Sequence, residues 1–155
     1  MPSIRQLYNI ADYFGISMAE FFGSGAAPLR RAAAPNVEFL GWRSDPDVLE
    51  LYRNCRFLLF PGEEDYGIVP LEAMACGRPV VAFGRGGATE TVVDGETGVF
   101  FGEQTPEALA DAVARAESIR WDAAAIRARA EEFSIARFRE SMAEALSNCL
   151  CAQSR

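Results

Sequence analysis

From Val37 onward, short apolar runs alternate with segments of helical period: VEFLG, DPDVLELYRNC, RFLLF, a glycine loop leading into VPLEAMACG, then RPVVAF. Continuous apolar runs bounded by glycine and proline are the pattern of strands buried on both faces. Strand, helix and strand in this order predict an α/β fold, a Rossmann-like parallel sheet with right-handed crossovers and helices on its faces. Ser44 or Asp45, followed by Pro46, marks a helix start, because proline is tolerated where an N–H would be unpaired anyway. Gly77 is the natural stop of the VPLEAMAC helix.

Further along, GRGGATETVVDGETG (84–98) is turn-rich around one short helical piece, and VFF at 99–101 supplies another strand. Thr105 and Pro106 open the helix PEALADAVARAESI, whose Leu109, Val113 and Ile119 lie near one face. Two more helices, DAAAIRARAEEF and SIARFRESMAEALSNCL, follow with no late strand signal. At 155 residues the chain is one ordinary domain, of a size that buries roughly two thirds of its unfolded surface.

The balance of 15 Lys and Arg against 22 Asp and Glu gives a net charge of −7, and no basic run occurs. That speaks against nucleic acid as a partner, since phosphate backbones are held by clustered cations. No stretch approaches the ~18 apolar residues of a membrane span, and the start lacks a signal core, so the expected location is the cytoplasm. The chain has no histidine, which removes histidine-based triads and the usual neutral-pH proton shuttle. Cys55 and Cys76 sit in apolar sequence and Cys149 and Cys151 in a polar tail. They read as small core residues plus an exposed reducible pair, and no metal is expected.

Chemistry concentrates in EDYGIVPLEAMACGRPVV, residues 64–81. Glu64 lies on a loop, Gly67, Ile68 and Val69 present backbone N–H groups where a helix begins, and Glu72 is expected inside its first turn. An open helix N-terminus attracts phosphate because its first N–H groups lack partners and the peptide dipoles add there. Carboxylates beside such a site repel a phosphate unless they face neutral hydroxyls. The pairing therefore suits a ligand carrying both phosphates and sugars, as a nucleotide sugar does. Glu72 also has a purely structural reading, as an acid favouring the helix dipole, and Glu64 another, as a solvated loop acid beside Glu63 and Asp65.

From NVEFLGW through PGEEDYGIVPLEAMACGRPVVAFGRGGATETVVDGETGVFF and EQTPEALADAV to FSIARFRESM, about residues 36–142, the chain closely resembles the donor-binding half of retaining glycosyltransferases of family four. These have the GT-B fold of two facing Rossmann-like domains. The resemblance implies transfer of a sugar from a nucleotide-diphosphate sugar with retention of configuration, without a metal or other cofactor. It places Glu64 at the transferred sugar as the catalytic-site carboxylate. Gly67, Ile68 and Val69 fall on the diphosphate and Glu72 on the ribose hydroxyls. Gly86 and Gly87 correspond to the family's loop beside the donor, though a glycine turn capped by a helix-stabilising Glu90 explains them equally well. Phe39–Trp42 corresponds to the strand end near the nucleobase, or simply to a core strand end.

The chain also departs from the family. Full members place an arginine and a lysine on the diphosphate early in this domain, and residues 1–22 stand in their place. Arg5, Arg30 and Arg31 are not secure substitutes. Residues 1–34 are expected to form a divergent helical segment preceding the donor domain of 35–150. Ala11, Gly15, Ile16 and Ser17 within them resemble the last two helices of small helix-turn-helix repressors, without the base-reading helix.

The family's acceptor domain has no counterpart, so a separate acceptor-binding domain or chain is an expected partner, and the chain alone is expected to transfer sugar poorly or not at all. The competing expectation is a truncated, non-catalytic nucleotide-sugar-binding or interaction module with a repressor-like opening. An oxidoreductase reading fails because GSG and GRGG lack the dinucleotide fingerprint and its later acid. Overall likeness leans to a GDP-mannose-like or UDP-hexose donor.

Overall fold

The computed structural model describes residues 34–153, with side chains described to Cys149. The chain divides into two compact units, Met1–Arg43 and Ser44–Arg155. Only residues 34–43 of the first are described, so the helical stretch expected over 1–34, with its repressor-like residues, lies outside them apart from Ala34.

The run VEFLG is not a strand. The Val37 N–H is committed to the Ala34 carbonyl at 3.0 Å in a turn, no ladder includes residues 36–41, and Val37 is 51% exposed. An apolar run counts as a strand only where its backbone joins a ladder, and the ladders among the described residues are those of residues 58–60, 80–83 and 98–101.

The second unit begins with α1 (Asp45–Asn54). Its cap is Ser44, not Asp45: the Ser44 Oγ accepts from the Asp47 N–H at 3.4 Å while the Asp47 carboxylate accepts from the Ser44 N–H at 3.2 Å. This reciprocal box satisfies donors that the helix itself cannot. Three strands follow, β1 (Leu58–Phe60), β2 (Val80–Phe83) and β3 (Gly98–Phe101), all parallel in the order β1-β2-β3. Between them run α2 (Ile68–Ala75) and the short α3 (Ala88–Thr91). After β3 come α4 (Pro106–Ser118), capped by the Thr105 hydroxyl, α5 (Ala123–Glu131), capped by Asp122, and α6 (Ile135–Gln153).

All four residues of β2 are buried because the sheet is covered on both sides. Val80 and Ala82 join Phe60, Met74, Ala88, Val92 and Ile126 in one core, while Val81 and Phe83 join Val99, Phe101, Ala112 and Ala116 in the other. The strand's period of two thus divides one apolar run between two cores. Leu109, Val113 and Ile119 pack against the second core as their spacing suggests, although the fully covered positions of α4 are Ala112 and Ala116, where a small side chain lets helix and sheet approach. Each buried valine or isoleucine contributes about 1.5–3 kcal/mol.

Gly98 is required by packing, since a Cβ there would lie 2.2 Å from the Val80 carbonyl oxygen of the adjacent strand. Gly77, with φ +73°, ends α2 in the left-handed conformation. Cys55 and Cys76 are half-buried rather than core residues, and Cys149 is an exposed free thiol.

Candidate functional site

Because the strands are parallel, the segments after β1, β2 and β3 all leave the same, carboxyl edge of the sheet, where open α/β sheets bind ligands. Two hydrogen bonds tie these segments together. The Gly87 N–H, after β2, donates to the Glu64 carbonyl at 2.7 Å, and the Gln104 side-chain amide, after β3, donates to the Pro61 carbonyl at 2.8 Å. Both acceptors belong to the segment after β1, which is thereby held from two sides.

That segment ends at Gly67, the N-cap of α2, buried and left-handed at φ 73° and ψ 72°. A glycine adopts this at little cost, whereas other residues pay for the contact of Cβ with the backbone. No side chain caps the helix. Among the described residues the N–H groups of Gly67, Ile68 and Val69 meet no acceptor, and the next residue, Pro70, has no N–H. Three donors without acceptors thus lie at the positive end of a helix dipole.

Glu64 is exposed, and its carboxylate has no hydrogen-bond partner among the described residues; its backbone, not its side chain, is what the fold fixes. Glu72 is the fifth residue of α2, so it does not lie in the first turn as its spacing suggested. At that depth a carboxylate gains little from the helix dipole, whose influence fades after one turn. What holds it instead is Tyr52 of α1, whose hydroxyl donates to Glu72 Oε2 at 2.9 Å. Burial, then the Glu72 carboxylate, pushes the Tyr52 phenol well above its ordinary value, so it remains a neutral donor. Burial likewise pushes the Cys55 thiol up, against the opposing pull of Arg78.

Gly86 and Gly87 are explained by packing. A Cβ on Gly86 would stand 2.4 Å from the Glu64 carbonyl oxygen, and one on Gly87 would stand 2.4 Å from that of Tyr66 and 2.6 Å from that of Asp65. Gly86 also has a positive φ of 62°. The Gly87 amide is already spent on Glu64, so it is not open to a ligand. Among the described residues no group of three or more Cys, Asp or Glu side chains is placed to hold a metal ion. Residues 61–72 and 84–87 thus meet at the carboxyl edge as one candidate site, and the Tyr52 contact with Glu72 is the feature that sequence reasoning missed.

A family model described as glycosyl transferases group 1 matches residues 6–118, well over half the chain. The chain belongs to this family. Among group 1 glycosyl transferases and their relatives, it is 52% identical over 68 residues to the alpha-1,3/1,6-mannosyltransferase alg-2 of Neurospora crassa, covering 42% of this chain and 14% of that protein. It is 43% identical over 67 residues to the D-inositol 3-phosphate glycosyltransferase of Stackebrandtia nassauensis, covering 43% of this chain and 15% of that one.

Its fold is similar to Anabaena Alr3699/HepE, solved in complex with UDP and glucose, with a TM-score of 0.62, 30% identity, and coverage of 77% of this chain and 34% of that chain. The parallel sheet flanked by helices is therefore of the GT-B glycosyltransferase type. The group 1 chain spans only part of the length of these relatives.

Proposed function

We propose that this chain supplies the donor-binding half of a retaining, family-four sugar transfer from a nucleotide-diphosphate sugar, as a C-terminal GT-B domain. The observation that carries it is the set of three unaccepted amides, Gly67 to Val69, with Glu64 just before them in the chain and Glu72 just after. The amides receive the diphosphate, and Glu72 accepts hydrogen bonds from the vicinal hydroxyls of the ribose. Glu64 stands toward the transferred sugar.

In such a transfer the departing diphosphate gains negative charge, and preorganised N–H donors stabilise that charge more than they stabilise the ground state. The resting site needs no histidine, metal or other cofactor for this. Gly86 and Gly87 serve by shaping the segment that holds Glu64. A neighbour of this fold is complexed with UDP and glucose, which supports a uridine or similar nucleotide sugar as ligand.

Transfer also needs an acceptor held in line and water kept out, which one wall of a cleft does not provide. The 155-residue chain alone is thus proposed to bind donor and to transfer poorly without a second, acceptor-binding body, in the cytoplasm and without nucleic acid.

Calorimetric titration of the chain with UDP, GDP and ADP tests the reading. Glu72→Ala is expected to weaken the preferred nucleotide by about 1–3 kcal/mol, the effect of losing a charged acceptor. Unchanged affinity removes the ribose assignment, and robust turnover by the chain alone removes the need for a second body.

A further inference from the structure

Glu72 is on the exposed side of α2, away from the buried Pro70, Ala73 and Met74. A glutamate in that position is among the side chains with most rotamer freedom to lose on meeting a ligand. Here that freedom is already restricted. The Tyr52 hydroxyl holds Oε2 at 2.9 Å, and among the described residues it is the one side-chain partner of that carboxylate. A carboxylate has two oxygens and about four acceptor directions, so the bond to Oε2 leaves Oε1 whole.

The tyrosine is itself anchored. Its ring is half-buried, its helix is boxed at the start by Ser44 and Asp47, and the Arg78 guanidinium donates to the carbonyl of the adjacent Arg53. Tyrosine brings only two side-chain torsions, so little further order is needed for it to act as a fixed post.

We propose that Tyr52 is a positioning residue of the donor site, which orients the Glu72 carboxylate so that its second oxygen meets the ribose hydroxyls of a nucleoside diphosphate. This rests on the assignment of Glu72 to the ribose. The competing role for the bond is a mechanical tie between α1 and α2. The two roles differ in one respect: a tie supports every ligand alike, whereas a positioner of the ribose contact affects only ligands that carry ribose.

The test compares the full chain with Tyr52→Phe, Glu72→Ala and the double variant. Each is titrated with whichever of UDP, GDP and ADP the unaltered chain binds best, and with inorganic pyrophosphate. Tyr52→Phe keeps the ring and removes only the hydroxyl. It is expected to weaken the nucleotide about fivefold, from a lost charge-assisted bond and restored rotamer freedom, and to leave pyrophosphate affinity essentially unchanged. In the Glu72→Ala background the same change is expected to have no further effect.

Equal weakening of nucleotide and pyrophosphate, or an additive double variant, overturns the positioning role. If Glu72→Ala weakens the nucleotide while Tyr52→Phe does not, Tyr52 alone is misassigned. If Glu72→Ala binds like the unaltered chain, or no nucleotide binds, the ribose assignment fails and the positioning role with it.

Discussion

The amide of Gly87 donates to the carbonyl of Glu64 at 2.7 Å, so the turn after β2 dictates the path of the segment that carries the first acid of the site. Two glycines make this approach possible, because the backbone of residues 64–66 occupies the space in which their Cβ atoms would lie. Gly87→Ala is therefore expected to push the two segments apart. Its cost should be about 1–3 kcal/mol, the usual range for forcing an atom into packed surroundings. Nucleotide affinity should fall with it, although the Gly87 amide is already bonded to the Glu64 carbonyl. Thermal unfolding and calorimetry on the same variant check both effects, and a variant with native stability and affinity contradicts the coupling.

Gly67→Ala separates conformation from space. A Cβ there meets only the Phe60 ring and Pro70 at 3.7 Å or more, ordinary contact, yet the backbone is left-handed. The expected loss is about 1–2 kcal/mol of stability, all from φ. The three amides should also be less well placed, so diphosphate binding weakens beyond what the stability change explains. Denaturant unfolding beside UDP or GDP titration checks this.

Ile126 of α5 is fully buried in the core that also contains Met74 and Val80. Ile126→Ala is expected to cost about 2–5 kcal/mol, the transfer term plus the cavity left behind. Since α5 also packs over Gly77 at the end of α2, local hydrogen exchange in α2 should rise in this variant. Denaturation midpoints and exchange rates measure both.

Alkaline pH probes the Tyr52–Glu72 bond. The folded state raises the Tyr52 phenol above its ordinary value of about 10. Above that pH the unfolded chain loses a proton that the folded chain retains, so stability contributed by the neutral phenol is intact below about 10 and is lost as pH climbs toward the raised value. Cys55, also raised, adds a similar decline from lower pH. Tyr52→Phe should remove the steeper part of the fall above pH ~10 and leave the thiol part. Identical alkaline unfolding profiles for the two proteins would contradict the bond.

What the chain disclosed in advance was governed by local chemistry. VVAF, buried on both faces, reads as a strand because nothing polar interrupts it, and Ser44–Pro46, Thr105–Pro106 and Gly77 mark helix ends through side chains or torsions carried by those residues themselves. VEFLG has the same local signal as VVAF, but a strand is also defined by the ladder it joins, which a local run of residues does not encode.

The Gly67 turn and its open amides were legible for the same reason as Gly77. Tyr52 was not, because it meets Glu72 across twenty residues and nothing in an amphipathic helix singles out the tyrosine whose hydroxyl will find a carboxylate. Gly86 and Gly87 were legible as a turn, but their contact with the Glu64–Tyr66 backbone belongs to the packed sheet edge.

The most direct measurement is an amide-resolved NMR titration of the chain with UDP, GDP and ADP. If the open end of α2 receives a nucleoside diphosphate, the Gly67, Ile68 and Val69 N–H signals shift furthest and saturate together with the nucleotide. If the nucleotide binds while those three signals stay in place, or binds nowhere, the donor site is not where these residues put it.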